Sequence, residues 1–468
     1  MFYPVSLPLS GDPRIDGLLE AASPSLAMNR AIGTAALVTY SFLEQVPAPG
    51  SSPWTIAEFR PLNQVQRDGV NAMLAEISAV TGITFRQVDS GGLLRYGLDA
   101  GYTTADGMLA NGYSRTDPFA TDPASYVWLN HHVAEVAQLD VGYGRMLALH
   151  ETAHGLGLKH PQHYGSYDSG PELPADLANA RYTVMAYAGG SRNDLGELDI
   201  LALKYLYGEP GMSAAEYNRI DVAGYLSDVA AWGSFFNDFI SLSASSLRDT
   251  SPYIDAGTGD DVIRIIDLLG LEVQVVPVLD GGPGLDSLWV DVARSDVRLG
   301  KTADAPPSLD YNSSNGSGRA FIYLDQVERI RFSDTALALD VEDGPGKVFR
   351  LYQAAFDRTP DKGGLGYWIA RNDAGLSLHD IGIAFIASRE FAERYGHDTR
   401  DDVFINALYQ NVLDRTGDPQ GLAYWGHEIE SGSHSRGEVL IGFSESLENV
   451  ANLIGVIGQS IEYTYSPL

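Results

Sequence analysis

Residues 145–160 contain three histidines and a glutamate whose spacing suits a bound metal ion. The stretch reads RMLALHETAHGLGLKH, with His150, Glu151, His154, Gly157 and His160 in the order H-E-x-x-H-x-x-G-x-x-H. Histidines four residues apart lie one above the other on a helix, where two neutral imidazoles can bind one Zn²⁺. A glycine at position 157 permits positive φ, so the chain can turn and return His160 as a third ligand. The pattern predicts a three-histidine zinc site with a fourth position for water.

The chemistry predicted for this site is hydrolysis of a peptide bond. Glu151 adjoins the first ligand, where its carboxylate can accept a proton from the water without binding zinc. Zinc lowers the pKa of bound water from about 15.7 toward about 7 and polarises the scissile carbonyl. The alternative is a buried helix whose histidines only fill space. It is disfavoured because Gly157 and His160 make the pattern far more specific than HExxH alone.

Helices and strands are predicted to alternate on both sides of this motif. Val70, Met73, Leu74 and Ile77 recur at helical spacing, which predicts an amphipathic helix that stops at Gly82. Alternating apolar residues predict strands at 37–43, 83–88 and 126–130. Short β-type runs separated by Gly, Asp and Ser follow between residues 210 and 341, and helical patterns resume after residue 346.

A second motif, RYTVMAY at residues 181–187, follows the histidines. Together the two motifs resemble the zinc helix and Met-turn of metzincin peptidases, and the chain is identified as similar to the serralysin family. Further matching stretches are GDPRIDGLL from residue 11, VTYSF from 38, VWLN from 127, HP at 160–161 and LDILALKYLYG from 198.

The resemblance implies an α/β metzincin catalytic domain, with a twisted mixed sheet and an active-site helix. It implies that Met185 lies under the zinc site as a structural residue. It also implies that the Tyr187 hydroxyl donates a hydrogen bond to the oxyanion of the reaction. The helix that includes Leu198 is expected to form core.

An extended polypeptide substrate is expected to lie beside an edge strand of this sheet. Residues 92–97 and residues 107–114 are both candidates for that edge. His131, His132 and His163 are additional candidates for metal or substrate contacts, but they are assigned to surface loops because isolated histidines seldom bind metal without matched spacing.

Calcium is the second metal that the resemblance implies, because serralysins carry a β-roll of G-G-x-G-x-D-x-U-x repeats. Two imperfect RTX-like copies occur, at residues 256–264 and 281–289, and they make Asp261 and Asp286 the candidate calcium ligands. Their starts lie 25 residues apart, which is not a multiple of nine, so they are not expected to be successive turns of a regular roll. The alternative is a pair of Gly-rich turns with solvated carboxylates.

A duplicated segment marks the last part of the chain. LYQAAFDRTPDKGGLGYW from residue 351 and LYQNVLDRTGDPQGLAYW from residue 408 share eleven of eighteen positions. This region resembles the DUF4214-type helical module. The repeated Asp and Arg residues are interpreted as an ion-paired connector, with Trp368 and Trp425 in the core. A ligand site for a glycan or a surface-layer protein is the alternative.

Three domains are therefore predicted: a metzincin zinc-peptidase domain over 1–208, a β-rich RTX-like domain over 209–343 and an all-α duplicated module over 344–468. The first twenty or so residues are a candidate propeptide. The predicted function is that of a secreted zinc endopeptidase. The alternatives are a surface-layer or glycan-binding assembly protein built on a peptidase-like scaffold, and a processing protease for one surface partner.

Composition sets limits on partners and location. The 468 residues carry a formal charge of −30 and no cysteine. Such a charge repels phosphate backbones, so no nucleic-acid partner is expected, and no thiolate can bind metal. No apolar run of membrane-spanning length and no amino-terminal signal are found in the sequence. A monomer is expected, exported from a bacterium to the outside or the cell surface without a cleaved signal peptide. The stretch 450–468 is the candidate export signal.

Overall fold

The computed structural model describes residues 7–20, 25–28, 30–47, 56, 58–100, 111–117, 124–163, 170–212, 218–222, 231–247, 252–266, 268, 274–302, 305–312, 318–396 and 399–466. Within these residues, no helix is both long and apolar enough to cross a membrane.

A five-stranded mixed sheet forms the first part of the chain. Its strands are β1 (Ala36–Phe42), β2 (Ile83–Gln87), β3 (Leu94–Asp99), β4 (Gly112–Asp117) and β5 (Ala124–Asn130). The order across the sheet is β2-β1-β3-β5-β4, and β4 at the edge is antiparallel to β5 while the other pairs are parallel. The helices of this part are α1 (Pro13–Asp16), α2 (Gln64–Val80), α3 (Gly142–Gly155) and α4 (Glu197–Tyr207).

The strand order of this sheet shows which of the two candidate segments lies at its edge. Residues 94–99 form β3, which lies between β1 and β5, so the prediction of an edge at residues 92–97 is wrong. The start of β4 falls within the other candidate, residues 107–114, of which 107–110 lie outside the described residues.

The amphipathic helix predicted before β2 is confirmed as α2, and its four predicted apolar residues are buried. Asn63 and Gln66 form a capping box at its start. Gly82 does not act as a left-handed stop, because the helix ends at Val80 with an extended Thr81 as its cap. A Cβ atom at Gly82 would lie 2.0 Å from the carbonyl oxygen of Tyr207, so close packing requires glycine there.

The first described residues pack into the core beside α3. Leu18 and Leu19 are fully buried, and the backbone N–H of Lys159 donates to the carbonyl oxygen of Leu18 at 2.8 Å. The buried Lys159 ammonium donates to the carbonyl oxygen of Gly17. We therefore propose that residues 7–20 belong to the folded domain and are not removed as a propeptide.

The middle part is a coil of mainly parallel strands in two facing sheets. One sheet has the order β19-β18-β17-β13-β10-β8-β6 and the other β14-β15-β16-β12-β9-β7, with β11 also paired to β16. The strands are β6 (Asn218–Val222), β7 (Ala231–Ser234), β8 (Asp238–Ser243), β9 (Tyr253–Gly257), β10 (Val262–Ile266), β11 (Gln274–Val275), β12 (Val278–Asp280), β13 (Ser287–Val290), β14 (Val297–Thr302), β15 (Ala305–Asn312), β16 (Arg319–Asp325), β17 (Arg329–Arg331), β18 (Ala336–Ala338) and β19 (Ile461–Tyr463).

The two Gly-rich copies lie in neighbouring coils of this structure, although these coils are not turns of a regular roll, as their spacing predicts. Val262 of β10 pairs in parallel with Ser287 of β13, and the same register continues through Ile265 and Val290. Residues 267–277 lie between β10 and β12, which makes the spacing of the two copies longer than two nonapeptides. A spacing that is not a multiple of nine therefore does not break the stack.

The last part is helical, as predicted, except at its end. Its helices are α5 (Gly344–Phe356), α6 (Lys362–Asp373), α7 (Leu378–Ile386), α8 (Arg389–Tyr395), α9 (Asp401–Leu413), α10 (Pro419–Glu430), α11 (Arg436–Ser444) and α12 (Leu447–Ile457). The chain then returns as β19, which pairs antiparallel with β18. Ile461 and Tyr463 are buried there, so the prediction of an all-α module needs this correction.

The duplicated segments adopt the same connector in both copies. Asp357 and Asp414 end α5 and α9 in the left-handed conformation, with φ of 45° and 50°. Arg358 Nε lies 2.7 Å from a carboxylate oxygen of Glu390, and Arg415 makes the matching pair with Glu448 at 2.8 Å. Trp368 and Trp425 pack against the helical core. These contacts support the ion-paired connector over a ligand site.

Candidate metal centre

Helix α3 positions the first two histidines and fixes which ring nitrogen each presents. His150 Nδ1 donates to the carbonyl oxygen of Val184 at 3.0 Å, and His154 Nδ1 donates to that of Leu158 at 2.8 Å. Because a carbonyl only accepts hydrogen bonds, Nδ1 carries the proton in each neutral ring. Both Nε2 atoms are therefore left with a lone pair available to a metal.

The turn after α3 brings the third histidine to the same point. Gly157 has a φ of 106°, which confirms the predicted positive value. The next residues form a bridge with Leu19, and His160 follows this bridge. His160 Nε2 lies 3.2 Å from His150 Nε2 and 3.3 Å from His154 Nε2.

These distances fit a zinc ion. Ligands about 2.0–2.1 Å from a tetrahedral zinc are separated from one another by roughly 3.3–3.4 Å. Burial, and then the neighbouring His160, lower the pKa of His150 to about 4, and the same causes lower the pKa of His154 well below its usual value. These two rings are consequently neutral near pH 7, the state that a metal requires. The structure thus brings together the three histidines that the sequence predicts as ligands.

Glu151 lies beside this cluster and is held by the edge strand. Its side chain is buried, and its carboxylate accepts a hydrogen bond from the backbone N–H of Ser114 in β4. Burial raises the pKa of the Glu151 carboxyl to about 8, although the Ser114 hydrogen bond opposes the shift. A Cβ atom at Gly112 would lie 3.0 Å from the Glu151 Cγ atom, so β4 and Glu151 are in close contact.

Tyr187 adjoins the histidine cluster, and Met185 belongs to the core of this part of the chain. The Tyr187 hydroxyl lies within hydrogen-bonding distance of His160 Nε2, at 2.8 Å, and the tyrosine is 62% exposed. Its ring stacks against His150 with 5.7 Å between centroids. Met185 is fully buried in the core that also contains α3.

Asp199 is a residue of this region that sequence reasoning missed. It is fully buried in α4 and accepts hydrogen bonds from Thr183 Oγ1 at 2.5 Å and from the N–H of Val184 at 2.7 Å. Val184 in turn accepts from His150, so Asp199 anchors the segment that orients the first ligand. Burial raises the pKa of Asp199 to about 6 against these hydrogen bonds. The sequence feature that could have identified Asp199 is an acidic residue inside the apolar stretch LDILALKYLYG.

The candidate calcium residues lie in a separate row of carboxylates, which we call the carboxylate ladder and define as Asp238, Asp261, Asp286 and Glu328. The backbone N–H of each of the first three donates to the carboxylate of the next, at 2.6, 2.8 and 2.8 Å. Asp238 and Glu328 were not predicted, because their flanking residues lack the glycines of the repeat. When the paired strands of neighbouring coils are aligned, Asp238 and Glu328 occupy the position of the repeat aspartate.

Two carboxylate oxygen atoms of the ladder lack a hydrogen-bond partner. Asp261 Oδ2 and Asp286 Oδ2 are buried without a hydrogen-bond partner. Burial and neighbouring carboxylates raise the pKa of Asp261 well above its usual value, and burial raises the pKa of Asp286 to about 8. Buried carboxylate oxygens without partners are the ligand type that Ca²⁺ prefers, so these residues fit calcium.

The three remaining candidate histidines do not join the metal cluster. His163 is on the surface, with Nε2 3.1 Å from the carbonyl oxygen of Gly170. His132 is half exposed, whereas the side chain of His131 is only 5% exposed. His131 lies in the turn after β5, as assigned, but its ring packs against Glu58 and is not exposed.

Comparison with known proteins shows similarity to serralysins. The chain is 30% identical over 194 residues to the serralysin of Photorhabdus sp. (strain Az29), which covers 36% of this chain and 38% of that protein. It is 30% identical over 180 residues to the serralysin of Proteus mirabilis, which covers 31% of this chain and 35% of that protein. The chain thus spans about a third of the length of these curated relatives.

A second comparison concerns the helical part. Residues 382–453 match the family model described as a domain of unknown function, DUF4214. Together the comparisons support a serralysin-related protein with a DUF4214 region in its carboxy-terminal part.

Proposed function

We propose that this chain is a zinc-dependent endopeptidase that hydrolyses peptide bonds in polypeptide substrates. The observation that carries the proposal is that His150 Nε2 and His154 Nε2 lie 3.2 and 3.3 Å from His160 Nε2, beside the buried Glu151. The similarity to serralysins supports the same chemistry.

His150, His154 and His160 would hold the zinc, which supplies an acidified water and a polarised scissile carbonyl. Glu151 would be ionised there, because an adjacent positive charge lowers the pKa of a carboxyl. Its free carboxylate oxygen then takes the proton of the attacking water and passes it to the leaving amine, while the Ser114 N–H keeps the side chain in place.

Tyr187 has a separate part in the proposed reaction. Its hydroxyl lies 2.8 Å from the same His160 atom that would bind zinc, so tyrosine and metal compete for Nε2. Once released, the exposed hydroxyl can donate to the oxyanion that forms on the substrate carbonyl.

Strand β4 is the proposed docking edge for the substrate. It pairs with β5 on one side and is the last strand of the sheet among the described residues. An extended peptide can add to such an edge through backbone hydrogen bonds, and Glu151 contacts this strand at Gly112 and Ser114.

Calcium and export complete the proposal. The carboxylate ladder would bind calcium through Asp261 and Asp286. We propose an extracellular location with the candidate export signal at 450–468, which forms α12 and β19 in the folded chain. Recognition of that signal would then precede folding. A surface partner of the helical module and a monomeric state stay predictions.

The decisive experiment replaces the general base. Glu151→Ala is expected to retain zinc while casein cleavage falls by about 10²–10⁴-fold, the usual contribution of general-base catalysis. Zinc content and cleavage are measured beside Glu135→Ala, which removes an exposed carboxylate and is expected to match the parent. Equal cleavage by Glu151→Ala and the parent would reject the mechanism.

A further inference from the structure

A second cluster of metal-ligand side chains lies at the carboxyl end of β5. It consists of Glu58, His131 and His132, whose ligand atoms all lie within 4.8 Å of one another. Glu58 Oε2 is 3.6 Å from His131 Nε2 and 3.6 Å from His132 Nε2. His131 Nε2 donates to the backbone carbonyl oxygen of Glu58 at 3.1 Å, so a cation at Nε2 would replace this hydrogen bond and leave the ring proton on Nδ1.

The backbone around this cluster is fixed by one buried residue. Asp99, at the end of β3, accepts the N–H of Glu58 on Oδ1 at 3.0 Å and the N–H of His131 on its carbonyl oxygen at 3.1 Å. His132 is oriented by its own N–H, which donates to Asn130 Oδ1 at 2.9 Å. The three ligand residues are thus positioned by the sheet itself, although only the histidines are adjacent in sequence.

The protein hydrogen bonds leave this cluster incompletely satisfied. The His131 side chain is 5% exposed, and its Nδ1 atom is buried without a hydrogen-bond partner. The ring therefore has one nitrogen without a partner and a second that faces a carbonyl and a carboxylate oxygen.

We propose that Glu58, His131 and His132 form a second site for a divalent cation of the zinc type. Two imidazoles and a carboxylate suit zinc and neighbouring late first-row metals, and ligand separations near 3.6 Å need little adjustment to meet one ion. The site would fasten the segment at residue 58 to the ends of β3 and β5. It takes no part in hydrolysis and does not depend on the proposed peptidase activity.

Zinc stoichiometry tests the proposal on the full chain. Equilibrium dialysis against zinc followed by metal analysis is expected to give about two ions in the parent and about one in His132→Ala. His163→Ala, which removes a surface histidine outside the cluster, is expected to keep about two. No loss of zinc in His132→Ala relative to the parent would overturn the proposal.

A background that lacks the first site separates the two metal proposals. In His154→Ala, zinc is still expected to raise the midpoint of thermal unfolding, and the added change His132→Ala should abolish that rise. No zinc-dependent rise in His154→Ala would contradict the second site even if the peptidase proposal holds.

Arg60 Nη2 lies 3.8 Å from Glu58 Oε2 and competes with a cation, so Arg60→Gln is expected to tighten zinc binding severalfold at this site. An unchanged zinc affinity in Arg60→Gln would also contradict the second site.

Discussion

At the scale of single residues, the zinc centre depends on hydrogen bonds that select ring nitrogens. Val184 and Leu158 each accept from an Nδ1 atom, so the opposite nitrogens of His150 and His154 face the third histidine. Tyr187 completes the cluster from the exposed side. The proposed reaction therefore combines histidines oriented by backbone hydrogen bonds with one exposed tyrosine.

Tyr187→Phe tests the role of that hydroxyl. The variant is expected to bind zinc at least as tightly as the parent, because the tyrosine hydroxyl no longer competes with the metal for His160 Nε2. Its kcat for a peptide substrate should fall by about 10²–10³-fold, the usual cost of removing one oxyanion donor, while KM changes little. Tyr182→Phe, at a tyrosine outside the cluster, serves as the control. An unchanged kcat in Tyr187→Phe would remove the oxyanion role.

At the scale of elements, the ligands depend on how α3 ends. The chain leaves the helix through a single left-handed glycine and is then held by a bridge to the first segment of the chain. A Cβ atom at Gly157 would lie 3.0 Å from the Ala27 Cβ, so both conformation and packing require glycine. The third ligand is thus positioned by contacts between α3 and a segment far away in sequence.

Gly157→Ala is expected to weaken zinc binding and to lower the free energy of unfolding by about 1–3 kcal/mol, from positive φ and crowding together. Titration with zinc and denaturant unfolding measure the two effects. Gly190→Ala is a matched control, since Gly190 has a φ of 99° but nothing within 4 Å of its added Cβ. It should be destabilised without loss of zinc affinity. Similar zinc affinities in both variants would show that the turn does not position His160.

At the scale of the whole molecule, the coil of mainly parallel strands joins the first and last parts of the chain. Its core lies between two facing sheets, one of which is extended by β19 after the chain has passed through eight helices. Arg329 of β17 is buried and bridges Asp340 and Asp373 of α6, which ties this sheet to the helical part. The carboxylate ladder runs across the same coil and makes its stability sensitive to protons and cations.

The ladder predicts a specific pH dependence for the unfolding of the calcium-free chain. The pKa of Asp286 is about 8 in the folded state and about 4 for an unfolded aspartate, so the folded state binds more protons between these values. The free energy of unfolding should therefore fall as pH rises from about 4 to about 8. Denaturant unfolding at several pH values measures this slope.

Calcium is expected to reverse this loss, since it binds the ionised carboxylates and stabilises the folded state at pH 8. Asp286→Asn is the comparison, because it removes the titrating group but preserves the shape of the side chain. Its stability should depend less on pH and respond less to calcium. A parent whose stability at pH 8 is insensitive to calcium would contradict a calcium site in the ladder.

The sequence by itself identified the three histidines, Glu151 and the glycine turn, since helical periodicity fixes which residues share a face within a few turns. It also revealed the duplicated helical segment, because an identical local pattern folds into an identical connector. It was less informative about the coil, where loops of varying length interrupt the repeat. Spacing alone could not show that Asp261 and Asp286 are neighbours.

Only the tertiary structure decided which strand forms the sheet edge, that Asp199 anchors the segment behind His150, and that His131 is buried against Glu58. It also joined Asp238 and Glu328 to the ladder and returned the last residues of the chain to the sheet. These relations depend on contacts between residues far apart in sequence. Strand register and packing create such contacts, and no local pattern encodes them.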